Sequence, residues 1–204
     1  MFRKLDLSFD DSIKNKILKV QKFIDKSDIL YRDESIDCKF KQYKEGTDED
    51  ILSKQYSNIY PAHKQVVFPL KQIKKYLPVQ ILQKEEPHIH WQVFDGGSII
   101  PPHVDRSRIS TINVYTQISD EETIVYKKKR NGCRLETEQG LITHESFIPE
   151  WLTELGRYKA NLWDFYLLNV SIPHAVINMT DKPRISISYS FYKTSFEELN
   201  DLIG

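Results

Sequence analysis

Three side chains of this 204-residue chain have the types and spacing to hold a metal ion: His103 and Asp105, separated by Val104, and His174 further on. In an extended strand residues i and i+2 share a face, so the imidazole and carboxylate of a His-x-Asp pair reach one point, and a second strand can add a third ligand. Two imidazoles and one carboxylate on an octahedral iron(II) leave three adjacent positions open, enough for a chelating keto acid and for dioxygen. Alone, the pair reads equally as a surface turn after Pro101-Pro102, and His174 as a buried, hydrogen-bonded histidine.

The surroundings of these residues add weight. Arg184 opens the run Arg184-Ile185-Ser186, in which a guanidinium and a hydroxyl share one face of a strand. A planar guanidinium donates two parallel hydrogen bonds to a carboxylate and the serine can add a third, a grip suited to the far carboxylate of a dicarboxylic keto acid. Upstream, Trp91-Gln92-Val93-Phe94-Asp95-Gly96-Gly97 followed by Pro101-Pro102-His103 reads as strand, turn, first ligand. On the strand after Asp105, the polar residues Thr111, Asn113, Tyr115 and Gln117 alternate with Ile112, Val114 and Thr116, and polar groups on an inward face need partners.

Taken together, Phe94, Gly97, His103, Asp105, His174 and Arg184 resemble the pattern of the iron(II)/2-oxoglutarate-dependent dioxygenase superfamily: an aromatic, a glycine turn, His-x-Asp, a distant histidine and a basic residue about ten positions later. The resemblance spans roughly residues 88 to 192. It implies a double-stranded β-helix (jelly roll) with the metal in one mouth, iron(II) on His103, Asp105 and His174, and 2-oxoglutarate on Arg184 and Ser186 with Asn113 and Tyr115 beside it. Dioxygen is then the cosubstrate and hydroxylation of a C–H bond the expected outcome. Phe94 stands where many members carry tyrosine. Arg108, Gln117 and Gln92 are candidates for substrate contact, Arg108 alternatively pairing with an acidic neighbour; the substrate is a peptide or protein side chain or an amino-acid-like small molecule.

A rival pattern sits nearby. His88-Ile89-His90 with Asp95, and His174 with Asn178, loosely echo the two motifs of cupins, although the glutamate and glycines of the first motif are missing. A cupin-type metalloprotein or a non-catalytic jelly-roll binding module therefore stays open as the alternative. His63 and His144 have no partner at metal spacing.

The elements that must position these residues follow from pattern. The spacing of Ile13, Ile17, Val20 and Ile24 predicts an amphipathic helix over Ser8 to Leu30, with Ser8 and Asp11 as a capping box. A second helix is expected over Leu70 to Leu77, stopped by Pro78. From residue 88 short runs rich in Ile, Val, Thr, Tyr and Phe, such as Ser110 to Gln117, Thr123 to Tyr126, Phe165 to Val170 and Arg184 to Tyr192, predict strands. Ser146 to Tyr158 reads as a helical insertion and Phe196 to Ile203 as a closing helix. The fold class expected is α+β, mainly β, one domain over 1–204: a helical and irregular support region 1–86 packed outside, a jelly-roll core 87–194, and a C-terminal helix 195–204.

Composition narrows the function classes. Lys plus Arg and Asp plus Glu balance at 29 each, so no global field attracts polyanions and nucleic acid is not the default partner; the run Lys127 to Arg130 leaves a local contact open. Two cysteines, Cys38 and Cys133, without C-x-x-C spacing, suggest neither a disulfide framework nor a zinc ribbon and fit a reducing cytoplasm. Neither a signal peptide nor a membrane span is expected. Oligomeric state leaves no signal in the sequence.

Overall fold

The computed structural model describes residues 1–24, 31–32, 39–57, 63–67, 71–138, 140 and 142–204. In chain order the strands are β1 (Phe2–Leu5), β2 (Tyr31–Arg32), β3 (His63–Val67), β4 (His88–Phe94), β5 (Ser98–Val104), β6 (Ser110–Gln117), β7 (Glu122–Lys128), β8 (Cys133–Glu136), β9 (Ile142–Ser146), β10 (Leu152–Tyr158), β11 (Phe165–Asn169), β12 (His174–Asn178) and β13 (Arg184–Phe191). The helices are α1 (Asp11–Ile24), α2 (Asp48–Ser57), α3 (Val79–Lys84) and α4 (Phe196–Ile203), with short 3-10 turns at Lys71–Tyr76 and Pro149–Trp151.

The strands form two antiparallel sheets, a major sheet ordered β1-β11-β6-β13-β4-β3-β2 and a minor sheet ordered β10-β7-β12-β5-β9-β8. β13 explains the layering. Its odd residues Ile185, Ile187, Tyr189 and Phe191 join the buried cluster that α1, α3 and α4 close over the outer face of the major sheet. Its even residues Arg184, Ser186, Ser188 and Ser190 are also buried, on the opposite face. There Tyr115 and Tyr166 of the major sheet meet Val125 and Tyr158 of the minor sheet. The result is the two-sheet jelly roll expected, with helices outside it.

Several expectations change in detail. The helix expected over Ser8 to Leu30 is described over Asp11–Ile24, residues 25–30 lying outside the described residues. Its cap is Asp10, whose Oδ1 accepts the backbone N–H of Ile13 at 2.9 Å. Leu70 is likewise outside the described residues; Lys71–Tyr76 is a 3-10 turn, and Pro78 starts α3 rather than ending a helix. Ser146 to Tyr158 is not a helical insertion: after the 3-10 turn it is β10, paired with β7. A register shift between Glu154 and Gly156 leaves Leu155 exposed, so the apolar residues 151, 152, 155 and 158 mimic helical spacing while belonging to a bulged strand. The region before residue 87 is more than a helical support, since β1 extends the major sheet beside β11 and β3 beside β4.

The turn between β4 and β5 shows why glycines stand before the first metal-site residue. Gly97 has φ +69°, and its N–H donates to Thr180 O at 2.6 Å. A Cβ on Gly96 would meet the backbone of Asp181 at 2.5 Å. Asn178 closes the same junction, its Nδ2 donating to Asp95 O at 3.3 Å and Lys182 O at 2.9 Å. The two strands that carry histidines are therefore clamped together at the end away from those histidines.

Candidate metal centre

His103 near the end of β5 and His174 at the start of β12 are direct cross-strand partners in the antiparallel register. Asp105 follows β5 by one residue, its N–H donating to Val170 O at 3.1 Å. Oδ1 of Asp105 lies 3.4 Å from His103 Nε2 and 3.8 Å from His174 Nε2, and one donor atom from each residue falls within 4.8 Å of the others. Among the described residues this is the one such group of three or more metal-binding side chains.

The donor atoms are prepared for a cation. Nδ1 of His103 lies 2.9 Å from Pro101 O and Nδ1 of His174 lies 3.0 Å from Ile172 O. A carbonyl only accepts, so each Nδ1 carries a proton, and in the neutral ring it is Nε2 that presents the lone pair. Burial, with the neighbouring His103 imidazole, pulls the pKa of His174 down to about 3, so it is neutral at ordinary pH. Burial alone would raise the pKa of Asp105, but the Arg108 guanidinium beside it holds it well below the usual carboxylate range. A neutral imidazole and an ionised carboxylate are the forms that bind metal.

These groups open into a cavity of about 360 Å³ between the sheets. Arg184 reaches it from β13. Its guanidinium carbon lies 5.5 Å from the ring centres of Phe94 and Tyr115, and Nη1 is 3.5 Å from Thr123 Oγ1, a long contact at the limit of a hydrogen bond. Among the described residues Arg184 Nε and Ser186 Oγ, both buried, have no hydrogen-bond partner, an arrangement that proteins rarely leave unless something else supplies the partner. Phe94 serves as a face for the guanidinium.

The remaining sequence candidates divide. Asn113, Gln92 and Arg108 line the cavity, whereas Tyr115 is not part of its lining: it is buried against Arg184 and bonded through its hydroxyl to Tyr158 at 2.8 Å. Gln117 does not reach the cavity. A register shift pairs Ser186 with Tyr115 but Ile185 with Gln117, so Thr116 is an extra residue and the alternation changes face there. Gln117 instead meets α1, accepting from Gln21 Nε2 at 3.2 Å, and donates to Pro183 O at 3.1 Å. Arg108 donates from Nε to Asp105 Oδ2 at 2.6 Å, so it is first an ion-pair partner of the metal site.

Sequence reasoning missed Thr123, His144, Phe40 and Tyr56, all of which line the cavity. Tyr56, from α2, donates to Pro102 O at 3.0 Å, and the His144 ring lies 5.6 Å from that of His103. None has a local sequence signal, because each arrives from an element far along the chain. The cupin-like pair separates: His88 is exposed and packs edge-on against Tyr192, whereas His90 lines the cavity from the major sheet. The basic run is largely used internally. Lys128 pairs with Glu145 at 3.3 Å, and Arg130 pairs with Asp48 while lying 4.3 Å over the Trp151 ring.

No protein-family model matches the chain, and no curated protein matches it in sequence. Among solved structures, a prolyl-4-hydroxylase from Pseudomonas putida aligns over 95% of this chain and 93% of that one, with a TM-score of 0.51 and 10% identity. A prolyl hydroxylase from Trichoplax adhaerens, in complex with a hypoxia inducible factor oxygen degradation domain peptide fragment, aligns over 98% and 86% with a TM-score of 0.49 and 12% identity. The chain thus shares its double-stranded β-helix with the Pseudomonas hydroxylase along nearly the whole length of both proteins.

Proposed function

We propose that this protein is an iron(II)- and 2-oxoglutarate-dependent oxygenase that hydroxylates a C–H bond. The observation that carries the reading is the pairing, in one cavity, of a convergent His103, Asp105, His174 donor set with a buried Arg184 whose Nε has no partner among the described residues. His103, Asp105 and His174 would hold the metal, and their set of two nitrogens and one oxygen suits iron(II) with open positions for small ligands. When bound, iron(II) with 2-oxoglutarate and dioxygen supplies the oxidising power, yielding succinate, carbon dioxide and hydroxylated product.

The chain's own residues do the positioning. Arg184 neutralises and orients the far carboxylate of the keto acid, and Ser186 Oγ is placed on the same face to donate a further hydrogen bond. Phe94 and Tyr115 flank the guanidinium and keep water from it, which strengthens the ion pair. Asn113 and Gln92 offer amides to whatever lies over the metal. The cavity is at the small end of ligand sites and has to hold the keto acid as well. What enters is therefore a side chain of a peptide or protein, or an amino-acid-like molecule of similar size.

Succinate formation from 2-oxoglutarate, dependent on added iron(II) and on dioxygen, tests the proposal. Removing a ligand through His103→Ala or Asp105→Ala is expected to lower it at least about 100-fold, the upper range for losing even a group behind a ligand. Either variant turning over like the wild type would contradict the ligand assignment.

A further inference from the structure

Asp105 is not left to find a metal by itself. Oδ2 is taken by Arg108 Nε at 2.6 Å, while Oδ1 is the oxygen that faces both imidazoles. The guanidinium is anchored at its other end, Nη1 lying 3.3 Å from Ser188 Oγ and 3.3 Å from Ser190 Oγ. Both serines are fully buried on β13, and Ser188 Oγ is held in turn by Thr111 Oγ1 at 2.7 Å. A chain of polar contacts thus runs from the major-sheet floor to the carboxylate that follows β5. It crosses the cavity wall through one side chain.

We propose that Arg108 is a positioning residue for the metal: by occupying Oδ2 it holds Asp105 as a one-oxygen ligand. This inference rests on metal binding by His103, Asp105 and His174. A carboxylate can bind a cation through one oxygen or through both. Chelation through both would fill a fourth position of the octahedron and leave too few for a chelating keto acid and dioxygen together. With Arg108 in place, turning Oδ2 toward the metal strips a partly buried guanidinium of its charged partner, which is unfavourable. Ser188 and Ser190 give the guanidinium its plane and direction, a task that a lysine ammonium, with no planar fork, performs less well. The position that reads in sequence as a substrate contact is on this account spent on the ligand behind the metal.

Cobalt(II), whose d–d absorption reports coordination number, is the probe, titrated into the full-length protein with and without 2-oxoglutarate. Arg108→Met is expected to weaken cobalt binding about 10–100-fold and to change the d–d bands, with Arg108→Lys recovering both in part. If Arg108→Met does not fold, the double variant Ser188→Ala/Ser190→Ala carries the test, with a smaller change in the same direction. Wild-type affinity and unchanged bands in the variant tested overturn the proposal. The two readings fail separately: cobalt that responds to Arg108 in a protein that binds no 2-oxoglutarate supports Arg108 as a positioning residue and removes the oxygenase, whereas cobalt that ignores Arg108 beside intact 2-oxoglutarate binding does the reverse.

Discussion

At the level of single residues, the site is built from groups kept in the protonation state that their task needs. His174 is neutral because it is buried, and Asp105 is ionised because Arg108 stands against it. Arg184 has the opposite character: its charge is buried against two aromatic rings with its Nε unpartnered among the described residues, which is why we propose it as the seat of an anion. Truncating one member of a buried charge pair costs at least about 2 kcal/mol, roughly 30-fold in affinity. Arg184→Met is therefore expected to raise the KM for 2-oxoglutarate at least about 30-fold while metal binding in the absence of 2-oxoglutarate is kept. Steady-state kinetics over a 2-oxoglutarate series checks this, and an unchanged KM would contradict the role. The His103 and Asp105 pair could be read from the sequence because its two residues stand together at the end of β5, while His174 joins them only through the pairing of β12 with β5. Gln117 could not, because whether it faces the cavity depends on one extra residue, Thr116, that no spacing rule reveals.

Secondary-structure elements were most readable where apolar and polar residues alternate without a break, as in β13, and least readable where a bulge disguises the period, as in β10. α2 escaped notice because a single residue, Leu52, is its fully buried apolar anchor. Contacts between elements left no trace in sequence at all. Glu85, which ends α3, accepts from the backbone N–H groups of Tyr192, Lys193 and Thr194 and from Thr194 Oγ1, at 2.8–3.1 Å, and so ties α3 to the turn leading into α4. Burial alone would raise its pKa, but these four donors hold it below the ordinary glutamate value. The resulting stability is full above the unfolded value of about 4.3 and is lost as pH falls through the lower folded value. Glu85 is partly exposed, so Glu85→Gln is expected to cost only about 1–2 kcal/mol at neutral pH. Urea denaturation at several pH values measures it: the gap from the wild type should shrink on acidification, and a gap that stays constant down to about pH 3 would contradict the assignment.

On the scale of the molecule, acidic and basic residues balance at 29 each, and among the described residues Lys128 and Arg130 of the basic run pair with Glu145 and Asp48. Among the described residues no helix is long and apolar enough to cross a membrane. We propose that the whole chain folds as one unit. Leu5, Phe9, Ile13, Ile17 and Ile24 cover the outer face of the major sheet, where they pack with Ile112, Val114, Phe165 and Leu167. A fragment 87–204 would expose that face, and it is expected to show no cooperative thermal transition. A sigmoidal melt at the full-length temperature would instead make the jelly roll a domain of its own. The fold class was readable from residue 88 onward because short alternating strands need a second sheet. The strands contributed by the N-terminal region were not, being short and set in polar sequence.

The central claim, that one cavity binds iron(II) and 2-oxoglutarate together, is tested most directly by anaerobic titration of the protein with both while recording visible absorption. The account predicts the weak charge-transfer band of a chelated keto acid, absent in His103→Ala and weakened in Arg184→Met. Folded, iron-loaded protein that shows no band at saturating 2-oxoglutarate would contradict it, leaving a metal-binding jelly roll of cupin type.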